Sequence, residues 1–190
     1  MNIKKGIRVG TRIPMTQKNG NVGRCIEDIL EAFGNNVSRN FGVDLPEDGL
    51  EVKTRNESAT SPQTIGGMSH QSIVDTPWHQ SPIRDKVQKQ YRVKYKESLE
   101  HLEESIITSE QVYDFSFPEI QDKLEEAYES GRAYISQFPP GEGPNYTQGP
   151  GQWGYFEQQV NGQYQFRVTD KVMKKMESVA SSHSTGLFKL

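Results

Sequence analysis

The stretch Asp44-Leu-Pro-Glu-Asp-Gly-Leu-Glu-Val-Lys-Thr54 carries most of the information in this sequence. Its second half alternates strictly between apolar and charged residues, which predicts a β-strand because successive side chains of a strand point to opposite faces. Leu50 and Val52 would lie on one face of a sheet, and Glu51 and Lys53 on the other. The proline and glycine in the first half predict a tight turn that leads into the strand.

The charged face of this strand has the residue types that metal-assisted hydrolysis of a phosphodiester requires. Such a reaction needs a divalent cation on oxygen ligands, a water made nucleophilic and a stabilised developing charge. Asp44 and Glu51 offer carboxylate oxygens suited to Mg²⁺, and Lys53 can point at the same metal and water. Two other interpretations stay open on the residues alone. Glu47 or Asp48 could replace Asp44 as the ligand, and an alternating charged pair is also typical of a solvated strand face.

Three separated motifs resemble the MutH-like DNA endonuclease family, which includes related type II restriction enzymes and belongs to the PD-(D/E)XK superfamily. The first motif is the stretch 44–54. The second, VGRCIE at 22–27, resembles the family's helix that carries a further acidic active-site residue. The third runs from Trp78 through SPIRDKVQKQYRV and resembles the segment with a second active-site lysine. The motifs occur in the family's order, and the resemblance covers residues 20–95.

The resemblance implies a fold and an activity. The fold would be α/β, a restriction-endonuclease-like core with a mixed central β-sheet flanked by helices. The activity would be hydrolysis of phosphodiester bonds in duplex DNA that depends on Mg²⁺, with Mn²⁺ as a substitute, as a sequence-selective nick. Three alternatives stay open: a type II restriction enzyme that makes double-strand breaks, a DNA-binding module on the nuclease fold that does not cleave, and a different nuclease on the same core, such as a junction resolvase or a repair exonuclease.

The resemblance also implies roles for individual residues near the strand. Asp44 and Glu51 would bind the catalytic metal, and the carbonyl oxygen of Val52 can serve as a further ligand. Lys53 would orient or activate the attacking water. The implied catalytic set is Glu27, Asp44, Glu51, Lys53 and Lys86.

Two members of this set have other interpretations. Glu27 would help hold a second metal or lie just outside the ligands, but it could also be an exposed helix residue beside Glu31. Lys86 would lie near the scissile phosphate, but it could instead make a general phosphate contact or pair with Asp85 or Glu97 on a surface.

Length and composition are those of one domain spanning residues 1–190, with an irregular lead-in at 1–20 and a Pro/Gly-rich loop at 138–154. That loop is interpreted either as an ordered functional loop or as a flexible insertion. A single cysteine excludes an intramolecular disulfide and favours the cytoplasm. The compact chain, with little beyond the expected nuclease core, would suit a bacterial or phage-encoded protein. No apolar run approaches the roughly 20 residues that span a bilayer, so no membrane partner is expected.

The formal net charge of −3 does not by itself indicate a nucleic-acid partner, but the charges are segregated. Residues 1–24 are basic without an acid, residues 84–96 are basic apart from one aspartate, and the acids concentrate between 97 and 129. A basic face within a mildly acidic chain is compatible with duplex DNA as the partner. The chain is expected to be a monomer or a weak homodimer, and any protein activator stays unknown.

The remaining pattern predicts secondary structure along the whole chain. The predicted elements are a helix over 22–33, strand–turn–strand over 41–55, a loop with an extended piece over 56–81, a helix over 82–89 capped by Ser81, a strand over 91–95, an acidic helical region over 97–135 broken near 117–118, a hairpin over 155–168 and a helix over 169–179. The four histidines lack metal-ligand spacing and are predicted to lie at the surface: His70, His79, His101 and His183.

Overall fold

The computed structural model describes residues 7–14, 22–39, 42–97, 104–147 and 152–186. Its elements are β1 (Arg12–Pro14), α1 (Val22–Ala32), β2 (Glu51–Asn56), β3 (Gln63–Met68), α2 (His70–Asp75), a 3₁₀ turn (Trp78–Gln80), α3 (Pro82–Gln88), β4 (Lys89–Glu97), β5 (Glu104–Asp114), α4 (Pro118–Ile135), β6 (Tyr155–Gln158), β7 (Tyr164–Val168) and α5 (Asp170–Gly186). None of the described helices is both long enough and apolar enough to cross a membrane.

The chain divides into two compact units, and the first contains residues 1–59 and 89–113. Its sheet has the strand order β1-β5-β4-β2. The sheet is mixed, because β1 pairs with β5 antiparallel and β2 pairs with β4 parallel. Helix α1 packs on β2 through a stripe with helical spacing, formed by Val22, Ile26 and Leu30. Leu50 and Val52 join the same core, so the strand has its apolar residues on the predicted face.

The second unit contains residues 60–88 and 114–190. Its three strands pair antiparallel in the order β3-β7-β6, with α3 against β3 and α4 against β6. Aromatic rings form its core: Tyr128 lies with its ring centroid 5.4 Å from Trp78 and 5.3 Å from Phe156. The hairpin expected around Asn161-Gly162 is confirmed, and Gly162 has a φ of 76° there.

The expected fold class is confirmed: the fold is α/β, with a mixed sheet and helices packed on the strands of each unit. The single domain expected from the chain length stays a prediction. Of the predicted lead-in at 1–20, residues 7–14 are described and contain the short strand β1, whereas 1–6 and 15–20 lie outside the described residues. Of the Pro/Gly-rich loop at 138–154, the described part is irregular apart from one bridge, between Tyr146 and Glu157. Its residues 148–151 lie outside the description.

Three predicted elements are wrong. Residues 104–114 form strand β5 rather than a helix, because the β-branched run around Ile107 packs against the core and pairs with β1. Residues 70–75 form a helix inside the predicted loop, and the Ser69 side chain caps it by accepting from the Ser72 N–H. Residues 42–44 are not a strand; the chain enters the turn through a single bridge at Leu45.

Two side chains also differ from prediction. His70 is buried rather than at the surface, with its Nε2 3.0 Å from the Phe138 carbonyl oxygen. Phe33, predicted to continue the apolar face of the first helix, is 56% exposed because α1 ends one residue earlier. His101 lies outside the described residues.

Candidate active site

The turn before β2 brings the two metal-binding candidates to neighbouring positions. Leu45 and Leu50 form a bridge: the Leu45 N–H donates to the Leu50 carbonyl oxygen (N···O 2.8 Å), and the Leu50 N–H donates to the Leu45 carbonyl oxygen (N···O 3.1 Å). Gly49 lies in the turn with a φ of 65°. A φ in that range is readily adopted by glycine and disfavoured for other residues. Because Asp44 precedes one bridge residue and Glu51 follows the other, the bridge sets these two residues side by side.

The Asp44 carboxylate is held by the backbone of the strand itself. Its Oδ2 accepts a hydrogen bond from the Val52 N–H at 2.9 Å. In a strand, the N–H and C=O of one residue point to the same side. The Val52 carbonyl oxygen therefore points to the Asp44 side of β2 and away from β4. This orientation suits the carbonyl to the predicted role of a further metal ligand.

Glu51 and Lys53 form an ion pair on the polar face of β2. The Lys53 Nζ donates to the Glu51 Oε1 at 2.8 Å, and the two side chains are only 17% and 3% exposed. The pair is therefore not a solvated strand face, which was the main alternative interpretation of the alternating charges. A buried carboxylate needs compensation by charge and hydrogen bonds, and Lys53 provides both.

Glu27, on α1, lies near the carboxylate of Asp44. Burial raises its pKa above the ordinary value of 4.5, and the negative charge of Asp44 raises it further. The positive charges of Arg39 and Arg24 act in the opposite direction, while Asp28 adds to the rise. Glu27 is half-buried and close enough to Asp44 for their charges to interact, which distinguishes it from an exposed helix residue.

The donor atoms of this site fit a magnesium ion of the kind that keeps several waters. Two carboxylates and a backbone carbonyl are hard oxygen ligands, and Mg²⁺ is usually held by one or two carboxylates plus substrate phosphates. Within the described ranges, no group of three or more acidic, histidine or cysteine side chains is arranged to hold a metal ion by itself. The donor set of Asp44, Glu51 and the Val52 carbonyl is of the kind that holds a metal together with substrate phosphates.

Lys86 lies in the second unit, on α3, and its role at the carboxylate site stays a prediction. Its side chain passes over β3 at Gly66, where a Cβ atom would come within 3.2 Å of the Lys86 Cδ. The predicted start of this helix is confirmed, because the Ser81 hydroxyl accepts from the Ile83 N–H at 3.1 Å.

Sequence reasoning missed two buried polar residues on β4. Gln90 and Arg92 are 0% and 4% exposed, and the Arg92 Nη1 donates to the Gln90 Oε1 at 3.0 Å. In the parallel register they lie opposite Glu51 and Lys53. The alternation of polar residues along 90–94 was the available signal in the sequence. It does not show that these residues lie beside Glu51 and Lys53, which follows only from the pairing of β4 with β2.

Comparisons with known proteins find a structural likeness but no match in sequence. No family model matches the chain, and no curated protein matches it in sequence. Among solved structures, the chain is similar to one titled "Restriction endonuclease MvaI-cognate DNA substrate complex", with a TM-score of 0.49 and 11% sequence identity. The similarity covers 87% of this chain and 89% of that chain.

Proposed function

We propose that this chain is a Mg²⁺-dependent DNA endonuclease, similar to the MutH family, that nicks duplex DNA at selected sequences. The observation that supports this most is the site on β2. There a turn sets the Asp44 carboxylate on the Val52 N–H, beside the buried ion pair of Glu51 and Lys53. Each of these groups has a use in the hydrolysis of a phosphodiester.

The carboxylates of Asp44 and Glu51, with the Val52 carbonyl, would hold the metal. When bound, Mg²⁺ would supply Lewis-acid stabilisation of the phosphate and lower the pKa of a coordinated water. Lys53 would orient the attacking water, because its ammonium group is an N–H donor held against Glu51, one of the proposed metal ligands. The same bond fixes the direction of the lysine, so that it is in place before the substrate arrives.

Glu27 and Lys86 have supporting roles in this proposal. Glu27 has a raised pKa near Asp44, so a nearby divalent cation would favour its ionised form and let it help hold the metal or its waters. Lys86 would contact the scissile phosphate, a role that rests on the resemblance of its segment alone. Mn²⁺ would replace Mg²⁺, since both accept oxygen ligands in octahedral geometry.

The number of strands cut depends on how the sites are arranged on DNA. One such site hydrolyses one strand, so a monomer would nick, whereas a dimer or two successive events would break both strands. A type II restriction activity is therefore the nearest alternative. We propose a monomer or a weak homodimer in the cytoplasm.

The test is cleavage of supercoiled plasmid in Mg²⁺, with EDTA as one control and Lys53→Met as the inactive variant. Lys123→Met is the matched control, because Lys123 makes an exposed ion pair with Glu126 on α4. The expected result is open-circular product that requires the metal and Lys53 but not Lys123. Linear product in discrete fragments would indicate a restriction enzyme. Retained DNA binding without cleavage of methylated or unmethylated plasmid would replace this proposal with a binding module.

A further inference from the structure

A concavity of about 510 Å³ lies in the second unit, beside α4. That volume falls within the range of about 300–1,000 Å³ that is usual for sites that bind small molecules. One side of the concavity belongs to the end of α4, and the other to the chain that leads into β6. This tyrosine concavity is lined by Ser130, Ala133, Tyr134 and Gln137 on the first side, and by Tyr146, Thr147 and Gln152 on the second.

The α4 side of the tyrosine concavity is an uncharged stripe on a helix whose other exposed positions are charged. Its four residues recur at the spacing i, i+3, i+4 and i+7, with Gln137 just beyond the end of α4, and this spacing places them on one face. All four are exposed, so they do not belong to the core. A solvated helix face ordinarily carries charge, as α4 does at Asp122, Glu125 and Glu126. An exposed stripe without charge is more typical of a binding surface.

Two tyrosine rings are exposed in the tyrosine concavity. Tyr134 is 43% exposed and Tyr146 is 57% exposed. Each ring is in contact with a second aromatic ring that supports it. The Tyr134 ring lies edge-on to Phe138 with 5.4 Å between centroids, and the Tyr146 ring lies 6.3 Å from that of Tyr155. The rings are therefore held in place and still offer aromatic surface to a ligand.

The side of the concavity that carries Tyr146 is fixed by backbone pairing with β6. The Thr147 N–H donates to the Phe156 carbonyl oxygen at 3.1 Å, and the Gln158 N–H donates to the Asn145 carbonyl oxygen at 2.9 Å. The opposite side is a helix. Because both sides are regular, hydrogen-bonded structure, a ligand would bind here with little cost for ordering the chain.

The chemistry of the lining selects a planar, uncharged ligand. None of the described residues that line the concavity is charged, so neither a phosphate nor an ammonium group would find a counter-ion there. The hydroxyl and amide groups supply both donors and acceptors, which a purely hydrocarbon ligand would leave without partners. The tyrosine rings supply stacking surface. A nucleobase combines these properties, since it is flat and uncharged and has donors and acceptors along its edge.

We propose that the tyrosine concavity binds one base of the DNA substrate after that base has left the helical stack. The proposal rests on the proposed nuclease function and adds a second binding site for the same substrate. Turning a base out of a duplex costs free energy, and the cost is smallest for a base that has no pairing partner. Stacking on Tyr134 or Tyr146 offsets part of this cost, and it does so for any base because every base has an aromatic face.

The test is fluorescence anisotropy with three labelled duplexes of one sequence, in Ca²⁺ as a cation that does not support cleavage. The first duplex is fully paired. The second has one base opposite an abasic site, and the third has an abasic site opposite another abasic site, which makes it flexible but leaves no base to turn out. The wild type is expected to bind the second duplex at least about tenfold more tightly than the first or the third.

Variants of the exposed rings identify the site. Tyr146→Leu combined with Tyr134→Leu removes the stacking surface and should reduce the preference for the unpaired base to within about twofold, with binding of the paired duplex retained. Tyr146→Phe keeps the ring and should keep the preference within about twofold of the wild type. Phe33→Leu is the matched control, because Phe33 is 56% exposed but lies in the first unit, and it should change nothing.

A second measurement reports the surroundings of the base itself. The unpaired base of the second duplex is replaced with fluorescent 2-aminopurine, and binding is brought to saturation with each protein. Stacking on a tyrosine ring should quench this fluorescence in the wild type and in Phe33→Leu, and the quenching should be lost in the variant without both tyrosines. A general weakening of DNA binding would not change the fluorescence at saturation.

Equal affinity of the wild type for the second and third duplexes would overturn the proposal, and so would a preference that survives the loss of both tyrosines. If circular dichroism shows that the double variant does not fold, the single variants Tyr146→Leu and Tyr134→Leu decide it. The proposed function fails separately, when the wild type neither binds nor cleaves duplex DNA. A wild type that cleaves plasmid but has no preference for the unpaired base refutes only the base site.

Discussion

Replacing Lys53 with methionine should destabilise the protein as well as inactivate it. Lys53 is the ion-pair partner of Glu51, whose side chain is only 3% exposed. Methionine preserves most of the volume of the lysine stem but leaves the glutamate without that cation. Removing one partner of a buried ion pair typically costs about 3–5 kcal/mol, mostly because the remaining charge stays buried without compensation.

Partial exposure lowers that figure for this pair. The Lys53 side chain retains 17% of its exposure, so water screens the pair to some extent. We therefore expect a loss of about 3 kcal/mol for Lys53→Met, at the lower end of the range for buried pairs. Glu51→Gln combined with Lys53→Met should recover about 2 kcal/mol of that loss, since the buried negative charge is then absent. Mg²⁺ should also stabilise Lys53→Met more than the wild type, because the cation replaces the missing ammonium charge.

The assay is urea denaturation followed by far-ultraviolet circular dichroism. Tryptophan fluorescence alone is unsuitable because Trp78 and Trp153 both lie in the second unit, whereas the ion pair lies in the first. Hydrogen exchange of the Val52 amide, which is bonded to Asp44, provides a local measurement in the correct unit. Lys123→Met is the control and should change the free energy of unfolding by less than about 0.5 kcal/mol, as for exposed ion pairs. Equal stability of Lys53→Met and Lys123→Met would refute the reasoning.

Four further predictions concern two acids of the candidate site and two glycines. Asp44→Asn keeps an acceptor for the backbone hydrogen bond but removes a charge, so the fold should survive while cleavage falls by at least about a hundredfold. Because the negative charge of Asp44 raises the pKa of Glu27, that pKa should decrease in an NMR titration of the variant. A raised carboxyl pKa contributes stability that is present below the unfolded pKa of 4.5 and is lost as the pH rises through the folded pKa. Glu27→Gln should therefore stabilise the protein at neutral pH and flatten that part of the curve of stability against pH. Gly49→Ala should cost about 1–2 kcal/mol in thermal denaturation because the φ of 65° is strained for alanine. Gly131→Ala should cost about 1–3 kcal/mol, since its Cβ would meet the Phe156 ring at 2.7 Å; a melting temperature equal to that of the wild type would contradict the packing.

The site strand was predictable because its signals are local. The turn and the strict alternation lie within eleven consecutive residues, 44–54, and together they determine which side chains share a face. The capped start of α3 was predictable for the same reason, since Ser81 and the helix it caps are adjacent in the chain. The local pattern does not test whether the site hydrolyses a phosphodiester, so the metal and its ligands stay predictions.

The errors occur where distant segments determine the structure. Strand β5 has the acidic composition of a surface helix, and it is a strand because Ser105 pairs with Ile13 far away in the chain. Arg92 was counted only as part of a basic segment, because its buried position opposite Lys53 depends on the pairing of β4 with β2. In both cases the partner strand cannot be identified from the neighbouring residues.

The position of β2 at the end of the described sheet has a consequence for solubility. A strand at the end of a sheet presents backbone N–H and C=O groups that can pair with a strand of another molecule and begin aggregation. Here the carboxylate of Asp44 occupies the Val52 N–H, one of the donors that an incoming strand would need. The acid proposed to hold the metal thus also occupies a donor at this end of the sheet, so removing its acceptor atoms should make that donor available to a strand of another molecule.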